Sequence, residues 1–472
     1  MHPFPSLLKN LSKKAFAPQD NASLVFFRIA FGLIMALDVY SHFANNWITA
    51  YWIRPRFLFK FYGFSWVQPW PAHGLYVHWG LMGIIAFFIA LGLFYRWSAL
   101  LFFLSYAYFF LLDETRYLNH AYLIILFSFL LIFVPAHGAV SLDAWLRPKI
   151  RAQTTPAWSL WLLRAQMGVV YFYGGIAKIN PDWLQCEPMR TRLSHRGDFP
   201  VIGRFFHEEW AVYAISYGGL LLDLLIVPFL LWRRTRVAAF CAAVLFHLMN
   251  ARLFSIGVFP WLAISATSLF LSPDWPRRLL SVFRPAWKFV QPADAAIPSP
   301  PKQRMVLSFV MIYLALQFTL PLRPFFFPGG KEWVLMEHRF CWRMMLRDPS
   351  VAGFFYVTDP NIGRTFQVNP AKFLTSDQLA RINWQPDMVL QFAQHLAGVM
   401  PRMGPKPLRV EARIFASFNG RRPELLVDPN VDLAAERRTL LRPTWLRPMH
   451  EPLPPPGEDL SEDPFAPSPN RN

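Results

Sequence analysis

Nine stretches of the chain, at residues 23–43, 75–94, 97–112, 118–135, 157–178, 209–232, 235–250, 255–272 and 304–322, are apolar on all sides rather than along one stripe. Their lengths lie near the roughly 20 residues that a helix needs to cross hydrocarbon. After residue 323 the pattern changes. Residues 353–358 and 364–368 alternate as strands do, 375–400 carries an apolar stripe at helical spacing, and VEARIFASF leads into Asn419-Gly420, a hairpin-turn pair. The predicted fold is mainly α: a polytopic helical membrane bundle of about nine spans over 1–322, followed by a small exported α+β domain over 323–449. Residues 281–303 read as a proline-punctuated linker, and the acidic, Pro-rich tail 450–472 has too little apolar surface to bury a core and is expected to be disordered.

Composition agrees with the pattern. Apolar residues make up 54% of the chain and charged residues 16%, against about 25% charged in soluble domains. The first span carries Arg28 and Asp38 and lacks a small-residue cleavage site, so it is expected to stay in the mature protein. Basic residues concentrate in alternate loops, among them Lys13, Lys14, Arg147, Lys149, Arg151, Arg233, Arg234, Arg277 and Arg278. The positive-inside rule then predicts a cytoplasmic N-terminus and, after nine crossings, a C-terminal domain in the periplasm or lumen. The net charge of +18 sits in these short loops rather than on one soluble patch, which argues for anionic membrane lipid as the partner and against nucleic acid. Of the three cysteines, Cys186 and Cys341 fall on the exported side, where a disulfide is permitted but not demanded by the spacing. Neither a metal-ligand spacing nor a Gly-rich phosphate loop occurs, and no metal is expected.

One residue gives the bundle a chemical centre. Lys178 ends the apolar run in YFYGGIAKINPDW, and a cation at that depth either snorkels to the headgroups or occupies a protein-lined cavity, where burial favours the neutral, proton-accepting amine. Arg28, Asp38, His120, Arg164, Gln166, Asp223 and His247 also lie in or at the ends of spans. Each is costly against lipid, so they are expected to face one another, either as ion pairs such as Arg28 with Asp38 and Arg164 with Asp223 or as the wall of a polar chamber.

The chain resembles the vitamin K-dependent gamma-carboxylases and their bacterial relatives that share a horizontally transferred transmembrane domain. The likeness rests on YFYGGIAKINPDW, GGLLLDLLIVPFLL at 218–231, FHLMNARLFSIGVF at 246–259, LSPDWPRRL at 271–279 and NHAYL at 119–123, and continues through HRFCWRMMLRD at 338–348, the VNP of 368–370 and FNGRRPELLVDPNVD at 418–432. The resemblance implies oxidation of reduced vitamin K or a related quinol by dioxygen, coupled to removal of a γ-proton from a peptide glutamate and its carboxylation by carbon dioxide. Lys178 matches the family's general base, with Ala177 where some relatives have a second lysine. Asn119, His120, His247 and Asn250 are expected to hydrogen-bond the quinol, with Asp223 and Arg252 as weaker orienting candidates. Arg339, Trp342 and Arg343, near the membrane surface, either bind the glutamate carboxylate or belong to a structural use of HRFCWRMMLRD against the bilayer. His137 does not align with the family's functional histidine and is left out of the set. Animal members continue into lumenal sequence associated with propeptide recognition, so docking of the expected partner, a glutamate-containing exported protein or peptide, should differ here or be absent.

Two other readings stay open on sequence alone. One is a membrane enzyme that transforms a quinol or another lipid without carboxylating peptide. The other is a non-catalytic scaffold or transporter whose polar interior is an ion-pair network or conduction path.

Overall fold

The computed structural model describes residues 4–254, 256–283, 299–326 and 338–454. Most of the predicted linker and tail lies outside these residues. Among them, one helix occupies each predicted span: α1 (Ala22–Ala44), α2 (Ala72–Leu91), α3 (Tyr95–Leu112), α4 (Asn119–Phe133), α5 (Ala157–Lys178), α6 (Glu209–Leu231), α7 (Arg236–Leu253), α8 (Phe259–Thr267) and α9 (Pro300–Thr319). Six of them, α1, α2, α3, α6, α7 and α9, are long and apolar enough to cross a membrane. α4 and α8 are shorter apolar helices, and α5 carries Arg164, Gln166 and Lys178.

The helices associate through small residues and close backbones, because lipid supplies no hydrophobic drive for helices to pair. At the α1–α2 crossing, a Cβ on Gly32 would lie 2.5 Å from the Ala90 nitrogen and 2.6 Å from the Ala86 oxygen. α2 packs on α3 and α3 on α4, α5 packs on α6 and α6 on α7, and α8 touches both α7 and α1, joining the two groups around a shared interior.

The polar residues at membrane depth do not pair as the sequence pattern implied. Arg28 is fully buried, yet it reaches carbonyl oxygens of Ala136 at 2.9 Å, Ala90 at 3.2 Å and Val140 at 2.5 Å instead of Asp38. Arg164 likewise donates to the Leu269 and Leu271 carbonyls, at 2.7 and 3.0 Å, and not to Asp223. Carbonyls in loops and at helix ends lack intrahelical donors, so both arginines bond to backbone, with Arg28 Nε buried without a partner, and both acids are left for other partners.

Beyond the membrane helices lies a four-stranded antiparallel sheet in the order β2-β1-β3-β4, built from β1 (Pro349–Asp359), β2 (Arg364–Val368), β3 (Arg409–Phe418) and β4 (Glu424–Leu425). Val410, Ala412, Ile414 and Ala416 of β3 are fully buried in alternation, the period of a sheet with one face on a core. Asn419 and Gly420 both take positive φ, 55° and 77°, as a hairpin turn of this kind requires. The predicted helix 375–400 is two helices, α10 (Ser376–Ile382) and α11 (Pro386–Val399), because Pro386 lacks an N–H to continue the first and suits the start of the second. α11 covers the sheet.

This domain is fastened to the bundle. Phe59, from the segment between α1 and α2, is fully buried in its core, with Phe57 packed beside it. Gln378 donates to the Phe57 carbonyl at 2.7 Å, and Gln391 exchanges hydrogen bonds with the Lys60 backbone at 2.8 and 3.1 Å. The bundle and the C-terminal domain are therefore joined through residues 54–71, a segment in which the apolar pattern predicted no element.

Candidate functional site

α5 buries Leu160, Leu163, Met167, Val170, Tyr171 and Gly174 along one stripe that ends at Lys178. The spacing of three and four residues puts these side chains on a single face. The helix stops where Asn180 precedes Pro181, since a residue before proline is driven to extended backbone; Asn180 has φ −143° and ψ 158°. Asn180 then secures both sides of the break. Its Nδ2 donates to the Ala177 carbonyl at 2.8 Å, and its Oδ1 accepts from the Trp183 N–H at 3.0 Å.

Lys178 is 6% exposed. Its Nζ donates to Asp223 Oδ2 at 2.6 Å and to the Gly174 carbonyl at 3.1 Å, and it lies 5.2 Å from the centre of the Trp183 ring. Asp223 comes from α6, which reaches α5 closely because Gly175 has no side chain: a Cβ there would lie 2.7 Å from Leu224 Cδ2 and 3.0 Å from the Leu224 nitrogen. The second contact is backbone and cannot yield by a rotamer change. Gly175→Ala is therefore expected to force α6 away beside Asp223 and to cost about 1–3 kcal/mol, read as a lower thermal midpoint of the detergent-solubilised protein.

The pair faces a cavity of about 920 Å³ whose wall also includes Asn119, His120, Tyr171, His247, Asn250 and Arg343. Residues from α1, α4, α5, α6 and α7 thus meet at one interior space. The sequence had distributed Asn119 and His120 to the start of α4, and His247 and Asn250 to the end of α7; all four line it.

Proton accounting defines how His247 is held. Thr267 Oγ1 donates to the Ala263 carbonyl at 2.7 Å, so the Tyr171 hydroxyl, 2.7 Å away, is the donor to Thr267. The hydroxyl has then spent its proton, and His247 Nε2, at 2.8 Å, donates to it. In a neutral ring the remaining Nδ1 is a bare acceptor, and it is buried with no hydrogen-bond partner. Tyr171 was not singled out in the sequence, although its position seven residues before Lys178 places it two turns away on the same helix face. Asn119 accepts from the Tyr117 hydroxyl at 3.0 Å, and the His120 ring lies 6.1 Å from that of Phe259.

The expected carboxylate-binding trio separates. Arg343 lines the cavity and its Nε donates to His338 Nε2 at 3.1 Å. Arg339 and Trp342 are not among the lining residues. Arg339 is buried against Glu114 and Gln385, to which its guanidinium bonds, and burial lowers its pKa to about 10. Trp342 is 1% exposed and stacks on Tyr122 at 5.1 Å. Both are consumed in joining the C-terminal domain to the bundle, so a substrate role for them has no cavity face to act on. His137, left out of the set, stacks on Tyr95 and is likewise absent from the wall. No disulfide joins Cys186, Cys241 or Cys341, and no group of three or more metal-ligating side chains occurs among the described residues.

The enclosure suits an apolar ring: aromatic and aliphatic side chains such as Trp79, Phe109 and Leu222 line most of it. Comparison with known proteins agrees. Residues 16–275 match the HTTM domain and residues 302–452 match the lumenal domain of vitamin K-dependent gamma-carboxylase. No solved structure matches the chain. A membrane protein by its helices and matched over more than half its length by the first of these domains, the chain belongs to the vitamin K-dependent gamma-carboxylase family.

Proposed function

We propose that the protein couples oxidation of reduced vitamin K or a related quinol to carboxylation of a peptide glutamate, with Lys178 as the general base. The supporting observation is the buried Lys178–Asp223 contact at 2.6 Å in the wall of a largely apolar cavity. An amine accepts a proton only through a free lone pair. In a low-dielectric interior, the ion pair and the neutral amine–carboxylic acid pair differ by the position of one proton. With that proton on Asp223, Lys178 presents its lone pair to the quinol hydroxyl; the ammonium that forms is balanced by the quinol's own oxyanion and stays hydrogen-bonded to the Asp223 carboxyl. Asn119, His120 and Asn250 in the cavity wall would hydrogen-bond the quinol oxygens, while the apolar wall keeps out water that would quench a strong base. Reduced vitamin K, when bound, supplies with dioxygen the driving force for abstracting the glutamate γ-proton. In this reading the N-terminus is cytoplasmic, and the C-terminal domain meets an exported glutamate-containing client in the periplasm or lumen.

The test is purified protein supplied with reduced vitamin K, oxygen, labelled bicarbonate and a glutamate peptide. Label in peptide together with quinone epoxide supports the proposal. Epoxide alone would favour quinol oxidation without carboxylation, and neither product from a folded preparation would contradict both.

A further inference from the structure

The cavity wall includes a second charged region that the chemistry at Lys178 does not use. Arg116 ends the short 3-10 turn Glu114–Arg116 that links α3 to α4. Arg381 stands on α10 of the C-terminal domain, and both line the cavity with Trp47 and Tyr51. The Arg116 guanidinium carbon lies 4.0 Å from the centre of the Tyr51 ring, and its Nε donates to Thr115 Oγ1 at 3.2 Å. Its nearest acid, Asp377, is 3.8 Å away on a side chain that is 53% exposed. Arg381 has no hydrogen bond or ion pair among the described residues. Burial lowers its pKa first, and the charge on Arg116 lowers it further.

Two guanidiniums that repel each other while partly desolvated favour an anion between them, and a planar fork favours a carboxylate held by two parallel hydrogen bonds. Asp377 and Asp113 lie within electrostatic reach of Arg381. They offset part of the positive charge, which suits a monoanion better than a doubly charged phosphate. We infer that Arg116 and Arg381 form a carboxylate-binding site at the junction of the bundle and the C-terminal domain. The carboxylate comes from an acidic peptide side chain or from free bicarbonate, and the identification of the acid as a substrate glutamate rests on the carboxylase reading above. The site takes the task that Arg339 and Trp342, tied into the domain junction, are not placed to perform.

The test measures binding without turnover, so loss of carboxylation and loss of this site are distinguishable. Full-length protein in detergent is titrated with an end-capped fluorescent peptide carrying one glutamate and with its glutamine counterpart. The glutamate peptide is expected to bind about 10- to 100-fold more tightly, the value of a hydrogen bond to a charged group. Arg381→Gln and Arg116→Gln should remove that preference while leaving the glutamine peptide unchanged, and Arg381→Lys should retain part of it. Bicarbonate that displaces peptide from the native protein but not from the glutamine variants assigns the free anion to the same site; no displacement assigns it to the peptide alone. A glutamate preference that is identical in the native protein and both glutamine variants, with bicarbonate acting equally on all three, would overturn the site.

Discussion

Lys178→Ala is expected to lower epoxide formation and peptide carboxylation together, by about 100- to 10,000-fold, the usual contribution of a positioned general base. The loss should be common to both products because the base acts before the two reactions diverge. The variant leaves Asp223 buried without its 2.6 Å partner, and an unpaired buried charge costs about 3–5 kcal/mol, so reduced stability is part of the expected result. The double substitution Lys178→Met with Asp223→Leu separates the two effects. It removes both charged groups, should recover most of the thermal midpoint, and should remain inactive. Asp223→Asn keeps the shape of the pair but has no carboxylate to exchange the proton, and should reduce turnover while leaving the amine in place. Ala177 precedes Lys178 and offers no second amine to substitute for it.

The second large effect lies outside the cavity. Asp182, in the turn that follows Lys178, is held by the C-terminal domain: Arg421 Nη1 and Nη2 reach its two oxygens at 2.6 and 2.7 Å, and Asn419 Nδ2 reaches it at 2.7 Å. Asp182 is 3% exposed and Arg421 7%. This fork fixes the turn that carries Trp183, whose indole N–H donates to the Ser216 carbonyl at 3.1 Å and whose ring stands beside Lys178 Nζ. Arg421→Ala or Asp182→Ala leaves a buried charge unpaired and is expected to destabilise the protein by about 3–5 kcal/mol, read from thermal unfolding in detergent. The double variant should lose clearly less than the sum of the two, as expected for residues in direct contact. The arrangement also gives a physical reason for FNGRRPELLVD and INPDW to occur in one chain: the hairpin of one part clamps the loop of the other.

Much of this architecture could be read from the residues, for identifiable reasons. The spans are long apolar runs, so hydropathy locates their helices to within a few residues. Lys178 was conspicuous because a charge ending such a run is costly. The hairpin at Asn419-Gly420 followed from strand alternation and a pair that accepts positive φ. Partner choice was less legible, because hydropathy gives the depth of a residue but not the direction it faces around its helix. Ion pairs of Arg28 with Asp38 and Arg164 with Asp223 are therefore open readings of the sequence, whereas in the fold each arginine bonds to carbonyls from segments distant in sequence. Asp223 was recognised as a weak orienting candidate, yet its contact with Lys178 depends on how closely α5 and α6 approach at Gly175. Arg339 and Arg343, four residues apart, read as one patch, but only a folded chain shows that Glu114 takes the first and the cavity the second. Arg116 and Arg381 belong to different parts of the sequence, and no local pattern links them.

The central claim, that the amine of Lys178 is the base, is tested most directly by chemical rescue. Lys178→Ala protein is supplied with a series of small primary amines, and epoxide formation is measured from reduced vitamin K and oxygen. Turnover is expected to return with added amine and to rise with the amine's basicity. Epoxide formed by the variant at the native rate, with no response to any amine, would contradict it.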